Sequence, residues 1–362
     1  MSSSISFSAS PSRPDPLFWR GRRVLVTGHT GFKGGWAALW LQQLGADVSG
    51  LALPPEPLSL FSLLHLDGPV RSHFADLRDA RAVAEAVRAA RPQVVLHLAA
   101  QALLPRAFTE PMETFAVNVS GTVNLLEALR ATADLAAVLI VTSDKVYAET
   151  GAPHAHTETD PLGGADPYSA SKAACELATV SMAQSFLQPR GVVVATARAG
   201  NVIGGGDFAP WRLVPDVVRA ARDDTALHLR DANATRPWQH VLDCVGGYLA
   251  YLRALASGRN VPLALNFGPR STVQPTAGEL AAAVQQALGV TPGWTQRPDP
   301  ALPERHTLAI DSTLARRCLG WTDRLSAKRM VEQTAAWYQA WSEGADMRAV
   351  TLRQIRDYET LA

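Results

Sequence analysis

A tyrosine and a lysine stand four residues apart in PYSASKAACE, the stretch at residues 167–176. On a helix this spacing puts Tyr168 and Lys172 on one face, so the ammonium group of Lys172 can lie near the phenol of Tyr168. A nearby cation favours the phenolate and makes the phenol easier to deprotonate. The pair is therefore a candidate general base, although an exposed helix can carry the same two residues.

A hydroxyl, an acid and an amine follow one another in VTSDKVY, as Ser143, Asp144 and Lys145. The preceding residues predict a parallel strand, and α/β folds place their ligand crevice at the carboxyl ends of such strands. A strand-end loop with solvated charges is the alternative for an isolated S-D-K. Ser143 is equally open to two interpretations, a contact with a ligand or a local bond to the backbone.

Three glycines separate the first predicted strand from the first predicted helix in VLVTGHTGFKGGW. Gly28, Gly31 and Gly34 allow a tight turn and let a dinucleotide pyrophosphate approach the helix N-terminus. The acidic residue that reads the adenosine ribose is expected roughly 20 residues further on. Ala52 stands at that position and Glu56 comes too late, so the sequence leaves NAD and NADP both open.

The elements that position these groups are apolar runs alternating with helical patterns between residues 22 and 139. Strands that are apolar on both faces, separated by amphipathic helices, predict a doubly wound α/β domain with a parallel Rossmann sheet. A further strand, GVVVATARAG, follows the Tyr168 helix, and HVLDCVGGYLAYLRALASG predicts a helix that returns to the sheet. The region between and after them predicts a smaller C-terminal substrate-binding lobe.

The domain boundaries follow from these patterns. We predict a disordered N-terminal tail at 1–16 and a dinucleotide-binding domain at 17–200 with about 240–266. The substrate lobe is predicted at 201–239 and 267–345, and a C-terminal tail at 346–362. No internal repeat or low-complexity linker separates the lobes, so they are expected to share one compact body.

Composition excludes several function classes. The 34 basic and 33 acidic residues give a net charge of +1, without the basic stripe of a nucleic-acid binder. No apolar run reaches the roughly 20 residues that span a bilayer, and the first residues lack the order of a signal peptide. The three cysteines form no close pair and the nine histidines no familiar metal motif. We therefore predict a cytoplasmic protein with a small-molecule partner and no metal.

The motifs together resemble one known family, the extended short-chain dehydrogenase/reductases, also called NAD-dependent epimerase/dehydratases. The resemblance rests on the glycine turn, ADL at residues 75–77, HLAAQ at 97–101 and the Tyr168–Lys172 pair. It runs from about Phe18 to Trp341. Within the family, FWRGRRVLVTGHTGFKGGW, TSDKVY, GGADPYSASKA, RAGNVIGGGD and RPWQHVLD resemble the CDP-glucose 4,6-dehydratases.

The resemblance implies an NAD-binding site, with NADP not excluded. Its implied cofactor contacts are Gly28, Thr30, Gly31, Phe32, Lys33, Gly34, Asp76, Leu77, Leu98, Ala99, Ala100, Asn118, Thr142, Tyr168 and Lys172. Asp76 would hold adenine, and Lys172 would hold the nicotinamide ribose and lower the pKa of Tyr168.

The implied reaction is a three-step dehydration of a nucleotide sugar, CDP-glucose in the nearest subgroup. Tyr168 would take the 4-hydroxyl proton during oxidation at carbon 4, with Ser143 bonded to the 4-oxygen. Lys145 would remove the carbon 5 proton and Asp144 would protonate the leaving 6-hydroxyl, before hydride returns to carbon 6. Asp144–Lys145 resembles the cytidine type of dehydratase, whereas the thymidine type carries Asp-Glu.

The implied substrate contacts are Gln101, Asn201, Arg212 and Arg236, the arginines being suited to a diphosphate. His240 and Trp238 are predicted to pack beside Arg236. The loop at 148–166 departs from the family because it lacks the usual Trp and Tyr residues, so substrate identity is less firmly implied than reaction class. His154 and His156 in this loop are predicted to be ordinary loop residues.

Two alternatives stay open at the level of sequence. One is an epimerase, a reductase or another dehydratase on the same scaffold, and Asp144–Lys145 argues for elimination. The other is an inactive dinucleotide-sensing protein, although Tyr168 and Lys172 are both retained. The resemblance also implies a homodimer or a dimer of dimers, and a place in deoxysugar and lipopolysaccharide O-antigen biosynthesis.

Overall fold

The computed structural model describes residues 14–149, 154–271, 273–302 and 307–361. The predicted N-terminal tail falls outside these residues, apart from its last three positions, where the first helix begins at Pro16.

The described residues form thirteen strands, seven of which build the central sheet. In chain order the strands are β1 Arg23–Thr27, β2 Asp47–Ala52, β3 Arg71–Phe74, β4 Val94–His97, β5 Ala137–Val141, β6 Ala155–His156, β7 Val193–Ala199, β8 Val202–Ile203, β9 His228–Leu229, β10 Gln239–His240, β11 Ala264–Phe267, β12 Thr295–Gln296 and β13 Ala309–Ile310.

The central sheet is parallel throughout, in the order β11-β7-β5-β4-β1-β2-β3. The chain winds outward in both directions from β1 and β4, which pair in register with Leu25 opposite Val95. This confirms the predicted doubly wound Rossmann sheet. In such sheets the ligand crevice lies beyond the carboxyl ends of the strands at this switch point.

The helices cover both faces of the sheet and build the second lobe. They are α1 Pro16–Trp19, α2 Phe32–Gln43, α3 Leu60–Leu63, α4 Ala80–Ala90, α5 Leu104–Thr109, α6 Pro111–Phe115, α7 Gly121–Leu129, α8 Pro167–Met182, α9 Leu213–Arg222, α10 Val241–Ala256, α11 Ala277–Ala287, α12 Thr313–Leu319, α13 Ala327–Ser342 and α14 Met347–Thr360. Short 3₁₀ turns lie at Asp144–Val146 and Gln188–Arg190, and π-helical turns at Ala116–Ser120 and Ala183–Leu187.

Alternate residues of β1 enter different hydrophobic cores, because successive side chains of a strand point to opposite faces. Val24 and Val26 pack in the core that contains Trp36 of α2, whereas Leu25 packs with Leu126 of α7. The first core continues into α9, α11 and α13 of the second lobe. One hydrophobic core therefore contains side chains from both predicted lobes.

The C-terminal residues correct one prediction. Residues 347–360 form helix α14 instead of a tail, and Ile355 on this helix is fully buried. The Trp40 indole donates to Glu359 at 2.7 Å, and the Tyr358 hydroxyl donates to Asp243 at 2.8 Å. These contacts fasten α14 to α2 and α10 of the dinucleotide-binding domain.

A search of the described helices finds none with the length and apolar character needed to cross a membrane.

Candidate active site

The glycine-rich turn closes one side of the crevice through very close backbone packing. Gly28 has a φ of +73°, and a Cβ there would lie 2.8 Å from the amide nitrogen of Ala99. A Cβ on Gly34 would lie 2.0 Å from the carbonyl oxygen of Gly28. Gly31 caps α2 and is exposed, so the first amides of a twelve-residue helix face the crevice without an obstructing side chain. This backbone fits the pyrophosphate of a dinucleotide.

The next residues of the turn reach the second strand and the reaction centre. The Thr30 hydroxyl donates to the Leu53 carbonyl at 3.1 Å, and the Phe32 ring lies 3.4 Å from the position of a Cβ on Gly204. The charge of Lys33 acts on both Asp144 and Lys172. Lys33, predicted as a cofactor contact, therefore also faces the catalytic groups.

The adenine end of the crevice has no carboxylate at the end of β2. Ala52 is buried as the last residue of that strand, as the sequence predicts. Asp76 pairs with Arg78, whose Nη2 lies 2.6 Å from Oδ2, and this hydrogen bond lowers the pKa of the carboxyl group. Leu77 is buried beside Gly121. The structure thus gives Asp76 a protein partner where the resemblance implies adenine.

The end of β4 is built around a neutral histidine. His97 lies between the hydroxyls of Thr27, 2.6 Å from Nδ1, and Thr122, 3.0 Å from Nε2. Burial lowers the pKa of His97 to about 3, and the charge of Lys172 acts in the same direction. The backbone amides of Leu98 and Ala99 donate to the Thr27 hydroxyl, so the strand end is fixed. Leu98, Ala99 and Ala100 are half-buried there.

Gln101 and Asn118 bind each other. The Gln101 amide donates to Asn118 Oδ1 at 2.8 Å, and Asn118 Nδ2 donates to the Gln101 carbonyl at 3.0 Å. The Gln101 side chain bonds Thr114 and Leu103, and Asn118 Nδ2 also reaches Ser171 on α8 at 2.9 Å. Asn118 lies in a π-helical turn, a feature often found at functional sites. Both predicted ligand contacts therefore fasten the loop after β4.

The groups predicted to perform chemistry converge at the end of β5. Ser143 caps the 3₁₀ turn by accepting from the amide of Lys145 at 3.2 Å, and its hydroxyl donates to Asp144 Oδ1 at 3.0 Å. The local backbone bond of Ser143 is present, and its contact with a ligand stays a prediction. Ser143 also lowers the pKa of the Tyr168 phenol, against the effect of burial. One hydroxyl thus joins the acid to the lysine backbone beside the phenol.

Asp144 is buried, and nearby cations offset only part of the cost of burying its carboxylate. Burial raises its pKa, although the charges of Lys145, Arg236 and Lys33 and the bond from Ser143 act against this. Its Oδ2 has no hydrogen-bond partner among the described residues and lies 3.0 Å from the position of a Cβ on Gly200. A buried carboxyl group of this kind is suited to carry a proton.

Tyr168 and Lys172 lie one turn apart at the start of α8, which Asp166 caps by accepting from the Ser169 amide at 2.9 Å. Desolvation raises the pKa of Tyr168 to about 12, against the effects of Ser143 and of the charge of Arg212. The lowering of this pKa by Lys172 that the resemblance implies stays a prediction. Burial lowers the pKa of Lys172, whose amine donates to the Val141 carbonyl at 3.2 Å.

A buried ion pair that the sequence analysis missed holds α8 against the sheet. Glu176 on α8 bonds Arg198 of β7, with Nη2 and Oε2 2.9 Å apart. Thr142 donates to Glu176 Oε1 at 2.5 Å, and Thr196 donates to Oε2 at 2.8 Å. The side chain of Thr142, a predicted cofactor contact, is therefore engaged within the protein. Glu176 stands four residues after Lys172 and eight after Tyr168, so it lies on the same face of the helix. This signal can be used only once the helix α8 is known.

The substrate lobe brings two of its predicted residues to the reaction centre. Arg212 bonds the buried Asp207 at 2.7 Å, and its charge acts on Tyr168. Arg236 is buried, donates to the Thr235 carbonyl at 2.7 Å and acts on Asp144 by its charge. The half-buried Asn201 accepts the Gln239 amide through its carbonyl at 3.0 Å. The sequence analysis missed Asp207, which fixes Arg212.

Two predicted packing residues beside Arg236 are buried. Trp238 donates its indole hydrogen to the Pro275 carbonyl at 3.1 Å, and His240 caps α10 by accepting from the Leu242 amide. Burial lowers the pKa of His240 to about 3, so this ring is neutral near pH 7. The prediction that both residues pack is confirmed.

Comparison with known proteins identifies the family. Residues 25–334 match the family described as GDP-mannose 4,6 dehydratase. The chain is 38% identical to the CDP-glucose 4,6-dehydratase of Salmonella typhimurium over 351 residues, which cover 95% of this chain and 98% of that protein.

Two solved structures share the fold over most of their length. The UDP-glucose 4-epimerase of Stenotrophomonas maltophila, with bound NAD and formylated UDP-arabinopyranose, has a TM-score of 0.76 at 25% identity and covers 90% of this chain and 100% of its own. The Thermus thermophilus UDP-glucose 4-epimerase in complex with NAD has a TM-score of 0.74 at 26% identity, covering 88% and 99%. The chain therefore belongs to the GDP-mannose 4,6 dehydratase family, within the NAD-dependent epimerase/dehydratases of the short-chain dehydrogenase/reductase class.

Proposed function

We propose that this protein is a CDP-glucose 4,6-dehydratase, a hydro-lyase that converts CDP-D-glucose to CDP-4-keto-6-deoxy-D-glucose. The observation that carries the proposal is the cluster at the end of β5. There Asp144 and Lys145 stand beside Ser143 and Tyr168, in a chain 38% identical to a CDP-glucose 4,6-dehydratase. An epimerase needs the tyrosine and the hydroxyl but not the acid-amine pair.

The proposed cofactor is NAD, because the similar UDP-glucose 4-epimerases are complexes with NAD. Gly28, Gly31 and Gly34 provide the backbone that fits its pyrophosphate, and Lys172 is assigned to the nicotinamide ribose on the family pattern. Bound NAD supplies a hydride acceptor for the first step and the corresponding donor for the last. No external reductant is then consumed.

Oxidation at carbon 4 requires a base for the 4-hydroxyl proton. Tyr168 is assigned this role because it precedes Lys172 by four residues on α8 and is influenced by Ser143, whose hydroxyl is the proposed partner of the 4-oxygen. With a pKa of about 12, the phenol needs cations to favour its ionised form. The charge of Arg212 already acts in that direction.

Elimination requires a base at carbon 5 and an acid at the 6-hydroxyl. The new ketone at carbon 4 acidifies the carbon 5 proton, so the amine of Lys145 can remove it. Burial raises the pKa of Asp144, which favours the protonated carboxyl group that the leaving hydroxyl needs. The cation of Arg236 beside Asp144 stabilises the carboxylate that forms once the proton is given up.

We assign the nucleotide sugar to the lobe side of the crevice. The charges of Arg212 and Arg236 act on Tyr168 and Asp144, and guanidinium groups suit a diphosphate. Asn201, which precedes both arginines in the chain, is the third proposed contact with the nucleotide sugar. Asp207 holds Arg212 in place for this role.

A substrate panel tests the proposal. The purified protein is incubated with CDP-glucose, UDP-glucose, dTDP-glucose and GDP-mannose, and the alkaline absorbance of a 4-keto sugar is followed. CDP-glucose is expected to give the fastest turnover, with no net reduced cofactor. Stoichiometric accumulation of reduced cofactor would contradict the proposal, and cofactor binding without turnover of any substrate would support a sensing protein instead.

We also propose a homodimer formed through α6, α7 and α8. Apolar side chains on this surface are exposed, namely Met112, Phe115, Leu177, Val180 and Phe186. A second copy would cover them, because large exposed apolar patches mark interaction sites. Sedimentation analysis should show a dimer for the wild type and a monomer for Leu177→Glu. Leu263→Glu, at an exposed leucine elsewhere on the surface, should stay dimeric.

A cytoplasmic location and a role in deoxysugar biosynthesis, including that of O-antigens, complete the proposal. The three cysteines are buried and form no disulfide, which is typical of a reducing compartment. The product class, a 4-keto-6-deoxy sugar nucleotide, is suited to further reduction or transamination at carbon 4.

A further inference from the structure

Two histidines and one aspartate converge in the loop between Lys145 and Tyr168. His154 Nε2 lies 2.6 Å from Asp160 Oδ2, and His156 Nδ1 lies 2.8 Å from the same oxygen. All three atoms lie within 4.8 Å of one another. Two imidazole nitrogens thus contact the same carboxylate oxygen. The sequence analysis predicts both histidines to be ordinary loop residues.

Two of the three side chains are held by a neighbour outside the cluster. His156 lies in β6, which pairs with β13, and its ring stacks on the buried Tyr147 with centroids 4.7 Å apart at 7°. Thr157 donates its hydroxyl to Asp160 Oδ1 at 2.9 Å, which leaves Oδ2 for the two rings. Such outer contacts orient metal ligands in known sites. His154 is exposed and offers a path from solvent.

The donor set selects a class of cation. Imidazole nitrogens favour Zn²⁺ and neighbouring first-row divalent ions, whereas Ca²⁺ and Mg²⁺ prefer oxygen ligands alone. Three protein ligands leave a fourth tetrahedral position for water. Ligands of a tetrahedral ion at about 2.0–2.2 Å lie roughly 3.4 Å apart. The two nitrogen–oxygen distances are now 2.6 and 2.8 Å, so each ring must move by less than about 1 Å from Oδ2 to reach that spacing.

We propose that His154, His156 and Asp160 bind a first-row divalent cation with Zn²⁺-like preferences. The cation takes no part in dehydration and braces the loop that joins the two catalytic elements. This loop is tied to the segment after Lys145, because the Ala148 amide donates to the Pro161 carbonyl at 2.9 Å and the Gly163 amide to the Val146 carbonyl at 2.8 Å. The site is independent of the proposed function.

Calorimetric titration of the tag-free full chain with Zn²⁺, after dialysis against EDTA and then metal-free buffer, tests the site. We expect one site per chain whose affinity falls at least about tenfold in Asp160→Asn, which keeps the side-chain shape but removes the charge. Thr157→Val, which removes the outer contact, should weaken binding about 10–100-fold. His228→Ala, at an exposed histidine that bonds Thr295, is the matched control and should bind as the wild type does.

Thermal unfolding gives a second readout that does not depend on activity. Zn²⁺ should raise the midpoint for the wild type and His228→Ala, and should not raise it for Asp160→Asn. If Asp160→Asn does not fold, His154→Ala at the exposed ligand takes its place in both measurements. A wild type that binds no Zn²⁺, or binding that Asp160→Asn and His154→Ala leave unchanged, overturns the site and makes the cluster a hydrogen-bonded clasp only.

Discussion

The ends of β4 and β5 are neighbours in the sheet, yet they use their polar groups in opposite ways. After β4, the His97 ring bonds threonines on both sides, and Gln101 and Asn118 bond each other through backbone and side chain. After β5, Asp144 Oδ2 is buried and has no hydrogen-bond partner among the described residues, and the pKa values of Asp144 and Tyr168 are raised.

This difference indicates that the end of β4 has a structural role and the end of β5 a catalytic one. A satisfied buried network is rigid and has no remaining capacity for a ligand, so the β4 end is suited to hold the crevice in shape. A buried polar group that lacks a hydrogen-bond partner has a perturbed pKa, and a ligand that supplies the partner stabilises it most. Asp144 at the end of β5 is such a group. The comparison predicts large kinetic effects at β5 and mainly structural effects at β4.

The largest effect is expected for Tyr168→Phe, which removes only the titratable oxygen. We expect turnover to fall by about 10²–10⁴-fold, the usual contribution of a general base, with NAD binding nearly unchanged. Steady-state kinetics with CDP-glucose and fluorescence titration of NAD measure the two quantities. Tyr147→Phe is the control, because the Tyr147 hydroxyl donates to Asn266 and serves the fold. A Tyr168→Phe enzyme that keeps more than about a tenth of the rate would show that another group is the base.

Lys145 distinguishes elimination from the other reactions of this scaffold. Lys145→Ala should still oxidise carbon 4, because Tyr168 and Lys172 are intact, and should then stall with reduced cofactor accumulated. Lys145→Arg keeps the charge but cannot act as a base near neutral pH. Rapid quench in deuterated water should show deuterium at carbon 5 for the wild type only. If Lys145→Arg exchanges and eliminates at the wild-type rate, the base is another residue.

The sequence predicts most of the sheet because its buried strands are apolar on both faces. Strand β3 is missed because its residues, RSHF, are partly or fully exposed at the sheet edge and show no apolar run. Helix α14 is missed because its mean hydropathy is low, and its burial depends on contacts with α2 and α10 that are distant in the chain. Tertiary packing decides both elements.

The contacts of the candidate site can likewise be predicted from the sequence only where they are local. The spacing of Tyr168 and Lys172 and the order S-D-K depend on local geometry, so the sequence predicts them directly. The pairing of Gln101 with Asn118, and of Arg198 with Glu176, joins residues 17 and 22 positions apart, which no local pattern reveals. The cluster of His154, His156 and Asp160 has a local signal, H-x-H-x₃-D, but that spacing in a loop does not by itself bring the three side chains together.

Asp243 tests whether a raised pKa alone marks a reaction centre, because it lies under α14 and bonds Tyr358. Burial raises its pKa to about 7, against an unfolded value near 3.9. The folded state therefore holds a proton that the unfolded state lacks between about pH 4 and 7, and stability falls as pH rises through this window.

Asp243→Asn should remove that dependence, which is at most about 1.4 kcal/mol for each pH unit. Denaturant unfolding of both proteins from pH 4.5 to 7.5 measures the difference, since other groups titrate alike in each. Turnover of Asp243→Asn at pH 7 should stay within about twofold of the wild type, because Asp243 contacts α14 and is assigned no part in the reaction. A kinetic defect in a stably folded variant would break the distinction between the two kinds of buried carboxyl group.

Asn118 gives the smallest expected effect and tests the β4 end directly, because it is predicted as a cofactor contact but is bonded within the protein. Asn118→Ala leaves the buried Gln101 amide without its acceptor, so we expect a loss of about 1–3 kcal/mol in unfolding free energy and only a modest loss of NAD affinity. Asn124→Ala is the control on α7, where the side chain donates to the Leu77 carbonyl from a half-buried position, and should cost about 0.5–1.5 kcal/mol. Urea unfolding and NAD titration separate the two roles, because a scaffold residue changes stability first. An Asn118→Ala protein of wild-type stability that no longer binds NAD would make this side chain a ligand, and the end of β4 would then belong to the cofactor site as much as to the scaffold.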